Sequence, residues 1–320
     1  MIRKLKMTST QDDREGGGRG RSRTSGAVLL GTLMILGFMA TVWSVQGSAR
    51  TRLRKGPKAY LFRPLGTRTV LASAHADDVR SIASLTKLMA TLVICEHHLN
   101  LDRVTTMSRV DKKVAAGGCR SRLLLGAKYR NRDLLYAALL ASDNSAVAAL
   151  GRAVGLDASV LVEAMNRRVV AMGLRHTNFS DPVGITPANV STAREVSYML
   201  EAAMKNSILK AVMKTPEHYV TAVWPRRNHI NYLSTNLFLF RRKYHVYGGK
   251  TGFNHVAGYC LATAVRVRGL RRPVIGVVLG SRSKLARFGD YARILSSITG
   301  GSTGARSRRV VRARHVRSLR

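Results

Sequence analysis

RSIASLTKLMATLV, residues 80–93, sets a serine and a lysine three positions apart inside an apolar run of helical period. On a helix that spacing places Ser84 and Lys87 on one face, about one turn apart. A serine hydroxyl is a weak nucleophile at its own pKa and needs a neighbouring base. A lysine becomes that base when its ammonium loses a proton near neutrality, a shift from about 10.4 to roughly 7 that costs about 4–5 kcal/mol. Burial and a second nearby cation both push in that direction. Ile82, Leu85, Leu88, Met89 and Leu92 offer the burial, and the cation has to come from elsewhere in the chain. The motif is weak alone. Ser207 with Lys210 and Ser281 with Lys284 match it too, and an isolated match is usually a surface serine beside a solvated lysine.

The chain around this stretch has 320 residues, enough for one large core or two modest ones. Its content of 45% hydrophobic and 6% aromatic residues is that of a globular protein. The charge is unusual: 54 basic residues face 17 acids, a formal +37. Such a field favours polyanions, whether anionic lipid headgroups, acidic wall or envelope polymers, or nucleic acid. No nucleic-acid partner is expected, because the basic residues are spread along the chain without aromatic interleaving or a recognisable module. Cys95, Cys119 and Cys260 lack metal-ligand spacing, and an odd count excludes a fully paired disulfide framework. Cys95 and Cys260 lie in apolar runs and read as buried thiols.

Taken in order, residues 1–26 are polar and rich in Gly and Arg, and read as a disordered basic segment. Residues 27–45 are nineteen residues without a charge, which suits a membrane anchor or a long signal segment. A basic linker, 46–58, leads to a domain expected over 59–298. It opens with a hairpin of strands at 59–62 and 69–72, and the Ser84 helix follows. Residues 131–140 form a second helix that ends in Ala141-Ser142-Asp143-Asn144, a helix-to-helix corner. A third helix runs over 157–174, a turn over 178–184, and Thr192 to Glu195 reads as a capping box opening another helix. Strands at 246–252, 258–267 and 273–281 and a last helix at 284–298 close the domain. Residues 299–320 are a tail with seven arginines and no acid, expected to be disordered and to bind anionic membrane or wall polymers. Strands at both ends with helices between them predict an α+β fold, one antiparallel sheet covered by helices.

Lys250-Thr251-Gly252 occurs once, at the end of a Gly-rich strand, and supplies the missing cation. Beside the Ser84 helix, Lys250 would depress the pKa of Lys87 and hold a substrate carboxylate to which Thr251 adds a hydroxyl. Gly252 would let an extended peptide approach the strand edge. The backbone N–H groups of Ser84 and Phe253 are the expected oxyanion hole. Ser142 would relay a proton to the leaving amine and Asn144 would orient the substrate amide. Ser-x-Asn recurs at Ser234 to Asn236, so the signal lies in the ordered set of three motifs, each on the element its job needs. No metal or organic cofactor is called for.

The ordered trio is the known signature of β-lactamases and penicillin-binding proteins. With VRSIASLTKLM, ALLASDNSAVAALGR, FSDPVGI, TPEHYV and KTGF followed by AGYCLATAV, residues 59–298 resemble a low-molecular-mass penicillin-binding protein of the serine D-alanyl-D-alanine carboxypeptidase/endopeptidase family. The resemblance implies a β-lactamase/transpeptidase-like fold with its active site between the sheet and a helical cluster. It implies Ser84 as nucleophile, Lys87 as base, Ser142 and Asn144 as relay and orienter, and Lys250 as carboxylate binder. It also implies peptidoglycan stem peptides as substrate, β-lactams as inhibitors and a periplasmic location, anchored to the inner membrane or exported. Only about twenty residues follow the last helix, as in the endopeptidase branch that cleaves D-alanyl-meso-diaminopimelate cross-links. Two other readings compete. A serine β-lactamase needs a carboxylate to activate a deacylating water, and Glu163 and Asp181 are the candidates. A non-catalytic binder of anionic envelope polymers would leave the trio unused.

Overall fold

A computed structural model describes residues 56–225 and 229–300. The expectations for residues 1–26, for the apolar stretch 27–45, for most of the linker and for the arginine tail lie outside the described residues.

Strands β1 (Ala59–Pro64) and β2 (Ala72–Ala74) form the expected hairpin. The second strand starts later than the sequence suggests. Arg63 Nη1 donates to the Thr67 carbonyl and Thr67 Oγ1 to that of Pro64, which holds the connection in a wider turn. After β3 (Arg80–Ser81), a 3-10 turn at Ala83–Thr86 leads into α1 (Lys87–Glu96). Next come β4 (Val104–Thr106), α2 (Arg109–Val114), β5 (Lys128–Arg130), α3 (Asn131–Leu140) and α4 (Asn144–Ala153). α5 (Ala158–Ala171) is capped by Asp157, whose carboxylate accepts the N–H groups of Ser159 and Val160. β6 (Val190–Ser191), α6 (Ala193–Lys205), α7 (Ser207–Met213), β7 (Glu217–Thr221) and β8 (His229–Leu233) complete the middle of the domain. Thr192 caps α6 through the Glu195 N–H, but the Glu195 carboxylate turns away to the N–H groups of Arg175 and His176 and the Thr177 hydroxyl. Only half of the expected capping box forms.

The chain ends in β9 (His245–Asn254), β10 (Gly258–Arg266), β11 (Val274–Ser281) and α8 (Ala286–Ile298). The five-stranded sheet runs β2-β1-β11-β10-β9, antiparallel throughout. Alternation along the strands builds two cores. Ala59, Leu61, Ala262, Ile275, Val277 and Leu279 face the helical cluster of α1, α3, α4 and α6. Phe62, Leu261, Val265, Val274 and Val278 face α8, where Phe62, Phe238 and Tyr291 pack ring on ring. Both faces are covered, so the eight residues of β11 are all buried. The order also leaves β9 as an edge strand, next to the 3-10 turn that carries Ser84.

Candidate active site

Ser84 sits in the 3-10 turn and Lys87 is the first residue of α1. Thr86 Oγ1 donates to the Ala83 carbonyl at 2.7 Å, and Asn189 Nδ2 donates to Thr86 Oγ1 at 3.0 Å, tying the turn to the segment after α5. That segment carries Gly184 at φ +84, where a Cβ would lie 2.1 Å from the Ala83 carbonyl oxygen and 2.8 Å from the Ser84 nitrogen. Only a glycine allows this approach. Asp181 shapes the same loop, its carboxylate accepting the N–H groups of Val183 (2.7 Å), Gly184 (2.5 Å) and Thr186 (2.8 Å). The stretch the sequence marks as a turn is therefore a brace behind Ser84.

Lys87 is 0% exposed. Its Nζ lies 3.0 Å from Ser84 Oγ, 2.6 Å from Asn144 Oδ1 and 2.5 Å from the Val183 carbonyl oxygen. Burial pulls its pKa down to about 7, against the opposing charges of Asp181 and Asp143. An amide oxygen and a carbonyl oxygen can only accept, so they engage two N–H bonds of Nζ. In the neutral amine the remaining lone pair faces Ser84 Oγ. That is the geometry of a base on its nucleophile.

The corner after α3 is held by Asp143. Its carboxylate accepts from Ser121 Oγ at 2.8 Å, from the Tyr232 hydroxyl at 3.0 Å and from the Ala146 N–H at 3.2 Å. This anchoring supports Ser142 at φ 65, a left-handed conformation that costs a serine about 1–3 kcal/mol. Ser142 Oγ is buried and has no hydrogen-bond partner among the described residues. Next to this corner a cavity of about 450 Å³ lies under residues 115–125, lined by Lys112, Cys119 and Arg120 and by the buried Ser145.

β9 supplies the opposite wall. Lys250 is 1% exposed, and its Nζ donates to the carbonyl of its own neighbour Thr251 at 2.9 Å. Burial, then the charges of Lys87 and Arg287, hold its pKa well below the usual lysine value. Burial, not the strand lysine, leads the shift at Lys87, and the repulsion between the two ammonium groups is felt at Lys250. Thr251 Oγ1 donates to Thr235 Oγ1 at 2.7 Å, which donates to the Leu140 carbonyl at 3.0 Å. A Cβ on Gly252 would fall 2.9 Å from the Ile82 oxygen and 3.2 Å from the Ser84 nitrogen, so the strand backbone rests directly on the serine turn. Phe253 follows on the edge, 45% exposed, its ring stacked on that of Tyr259.

The structure thus brings Ser84, Lys87, Ser142, Asn144, Lys250, Thr251 and Gly252 to one cleft between sheet and helices. The rival matches stay out of it. Ser207 is exposed on α7, Ser281 Oγ donates to Asp290 at 2.8 Å, and Lys284 is exposed. Three contributors escape the sequence reading. Val183 acts through a carbonyl, which no residue type announces. Thr235 lies inside the Ser234–Asn236 match that reads as a coincidence. Arg287, in the final helix, reaches the carbonyls of Gly252 (3.3 Å) and Cys260 (3.4 Å) with Nη1. Among the cysteines Cys260 is buried, Cys95 half-buried and Cys119 exposed, all as free thiols.

Comparison with known proteins points the same way. A family model described as D-alanyl-D-alanine carboxypeptidase matches residues 56–283. A D-alanyl-D-alanine endopeptidase of Pseudomonas aeruginosa is 33% identical over 228 residues, 71% of this chain and 72% of the relative. A D-alanyl-D-alanine carboxypeptidase of a Streptomyces species is 34% identical over 244 residues, 72% of this chain and 83% of the relative. The crystal structure of a Streptomyces DD-transpeptidase superposes with a TM-score of 0.70 at 30% identity, covering 77% of this chain and 97% of that one.

Proposed function

This chain belongs to the D-alanyl-D-alanine carboxypeptidase family and is a serine-type D-alanyl-D-alanine peptidase, and we propose that it cleaves peptidoglycan stem peptides or cross-links through an acyl-enzyme on Ser84. The observation that carries the assignment of roles is the buried Lys87 Nζ, 3.0 Å from Ser84 Oγ, with a pKa near 7.

In this reading neutral Lys87 takes the Ser84 proton as Oγ attacks the D-alanyl carbonyl carbon. The developing oxyanion is met by the N–H groups of Ser84 and Phe253, a pairing supported by the close approach of Gly252 to the Ser84 nitrogen. Ser142 Oγ, without a hydrogen-bond partner among the described residues, passes the proton from Lys87 to the departing amine. Asn144 fixes the Lys87 amine through Oδ1 and orients the substrate amide. Lys250 and Thr251 bind the terminal carboxylate, and the open edge of β9 pairs with the extended peptide. Water then hydrolyses the ester. β-Lactams carry a carboxylate and a strained amide in the same relation and acylate Ser84 in place of the peptide.

The substrate's place in the cell wall fits a periplasmic enzyme held or exported by residues 27–45, with the arginine tail contributing affinity for anionic membrane or wall polymers. Truncation after Gly300 tests the tail: binding to anionic vesicles weakens at low salt and changes little at high salt. The central test is digestion of purified cross-linked muropeptides with product masses read directly. Loss of D-alanine from pentapeptide stems marks carboxypeptidase action, and conversion of dimers to monomers marks endopeptidase action. Neither product, from a protein that still binds penicillin, overturns the reading.

A further inference from the structure

The acids of this protein are unevenly placed. Between His218 and Gly289 the sequence holds thirteen Lys and Arg and no Asp or Glu. In the fold most of these cations collect at one end of the sheet. Arg241, Arg242 and Lys243 lead into β9. Arg266 ends β10, and Arg268, Arg271 and Arg272 occupy its link to β11. The pairing of His245 with Arg266 sets the two groups side by side, and the pairing of Pro64 with Val274 brings the β1–β2 turn with Arg68 to the same end. All eight cations are exposed, and none forms an ion pair among the described residues. Elsewhere in the domain several arginines are paired with acids: Arg63 with Glu201, Arg152 with Asp111, Arg168 with Glu96 and Arg194 with Asp77.

This end is not the catalytic one. Lys250 lies five residues along β9 from His245, roughly 16 Å away at strand rise. α8 gives its direction independently. Arg287 at its start contacts Gly252 and Cys260 beside the cleft, and the Tyr291 hydroxyl reaches the Thr263 carbonyl farther along the sheet. Ile298, at its end, belongs to the cluster that includes Val267 and Leu270. The chain therefore leaves α8 at the cationic end, and the next twenty residues in sequence add seven arginines without an acid.

An apolar group sits among these charges. Phe240 is 49% exposed and immediately precedes Arg241-Arg242-Lys243, with Leu239 and Tyr244 half-buried on either side. A hydrated polyanion has no use for an exposed phenyl ring. The interface of a bilayer does: it binds cations through its headgroups and accepts an aromatic side chain at their level. We propose that the sheet end formed by residues 240–245 and 266–272 docks the domain on an anionic lipid surface, with Phe240 entering the headgroup layer. The cleft then lies at the opposite end of β9, facing away from the membrane.

Hydrogen exchange on the full chain, reconstituted with vesicles, tests this whether or not residues 27–45 tether it. On vesicles containing phosphatidylglycerol at low salt, amides of 240–245 and 266–272 should exchange about tenfold or more slowly than on phosphatidylcholine alone. The protection should vanish at high salt, and residues 115–125 beside the cleft should be unaffected. Replacing Arg266, Arg268, Arg271 and Arg272 by Gln should remove the protection, each cation being worth roughly fivefold in surface affinity, while penicillin labelling persists and shows that the variant folds. Phe240→Ser should weaken protection without changing its salt dependence. Equal protection on both vesicle types overturns the proposal. So does protection by soluble polyphosphate but not by anionic vesicles, which would make the surface a polymer site.

Discussion

Two buried lysines face one another across the cleft, and their surroundings make them different reagents. On the helical side the Nζ of Lys87 is occupied in three directions, by Ser84, Asn144 and Val183. On the strand side Lys250 donates, among the described residues, only to the Thr251 carbonyl beside it. An ammonium has three N–H donors, so Lys250 keeps two for a ligand, while Lys87 has none to spare and works through its lone pair. Burial lowers the pKa of both. In the proposed mechanism the number of fixed acceptors separates the base from the clamp.

The sharpest break of this comparison is at the atom Lys87 serves. Ser84→Ala should abolish covalent labelling by a fluorescent penicillin, and Ser207→Ala and Ser281→Ala should label like the parent. Labelling that survives in Ser84→Ala refutes the assignment outright. One step smaller, Lys87→Met should slow acylation by about 10²–10⁴-fold, the usual worth of a general base, whatever the substrate's C-terminus. Lys250→Met should behave otherwise. Its loss, about 1.5–3 kcal/mol or roughly 10–150-fold for a charged hydrogen bond, should fall mainly on KM. It should shrink towards nothing with a C-terminally amidated peptide. Equal losses on acid and amide would mean that Lys250 serves chemistry, not carboxylate binding.

The two lysines also titrate together, which gives a smaller effect with a definite sign. Neutral Lys87 is the active form, so kcat/KM should rise with pH through about 7. Lys250 must stay charged to hold a carboxylate, so its depressed pKa should narrow the pH range over which acid substrates are turned over, relative to amidated ones. The Lys87 charge lowers the pKa of Lys250. Such a coupling is reciprocal, so a charged Lys250 disfavours the Lys87 ammonium and its removal raises the Lys87 pKa. The rising limb of Lys250→Met, measured on the amidated peptide, should therefore move to higher pH by less than about one unit. A limb that moves to lower pH, or stays in place, would show that the two ammonium groups do not interact.

How much of this can be read without coordinates depends on what each contact is made of. The strands from 245 to 281 are near-continuous apolar and β-branched runs with glycine punctuation, so sequence places them to within two residues. β4 and β5 are three residues each, and their pairing depends on a long-range partner rather than on a pattern. β7 and β8 are joined by Trp224-Pro225 and the residues that follow, so turn signals hide the hairpin. In the site, side chains that act by type, such as Ser84, Lys87 and Lys250, are legible by spacing. The Val183 carbonyl and the fit of Gly184 against Ala83 are conformational, and any residue can offer a carbonyl. Thr235 fails for another reason. Ser-x-Asn recurs by chance, and only the bond from Thr251 shows that the second copy also borders the cleft.

The smallest predicted effect concerns the water side of the reaction. A penicilloyl ester on Ser84 retains its tethered leaving group, and rapid hydrolysis needs a second base on the open face. Two carboxylates were candidates. Glu163 is on the solvent face of α5, paired with Arg167 at 3.7 Å. Asp181 is closer, but its oxygens are taken by the N–H groups of Val183, Gly184, Ile185 and Thr186. A carboxylate whose oxygens already accept several backbone N–H bonds has little acceptor capacity left to hold a deacylating water. Glu163→Gln and Asp181→Asn should therefore leave the lifetime of the penicilloyl adduct unchanged within about twofold. Asp181→Asn should still lower stability by about 1–3 kcal/mol, because one of its N–H partners loses its acceptor. Intact mass after a penicillin pulse reads the lifetime, and thermal unfolding reads the stability. The parent adduct should persist for minutes. If it instead clears quickly with steady drug hydrolysis, and Asp181→Asn stops that clearance, the loop behind Ser84 carries the deacylating base and the protein works as a β-lactamase.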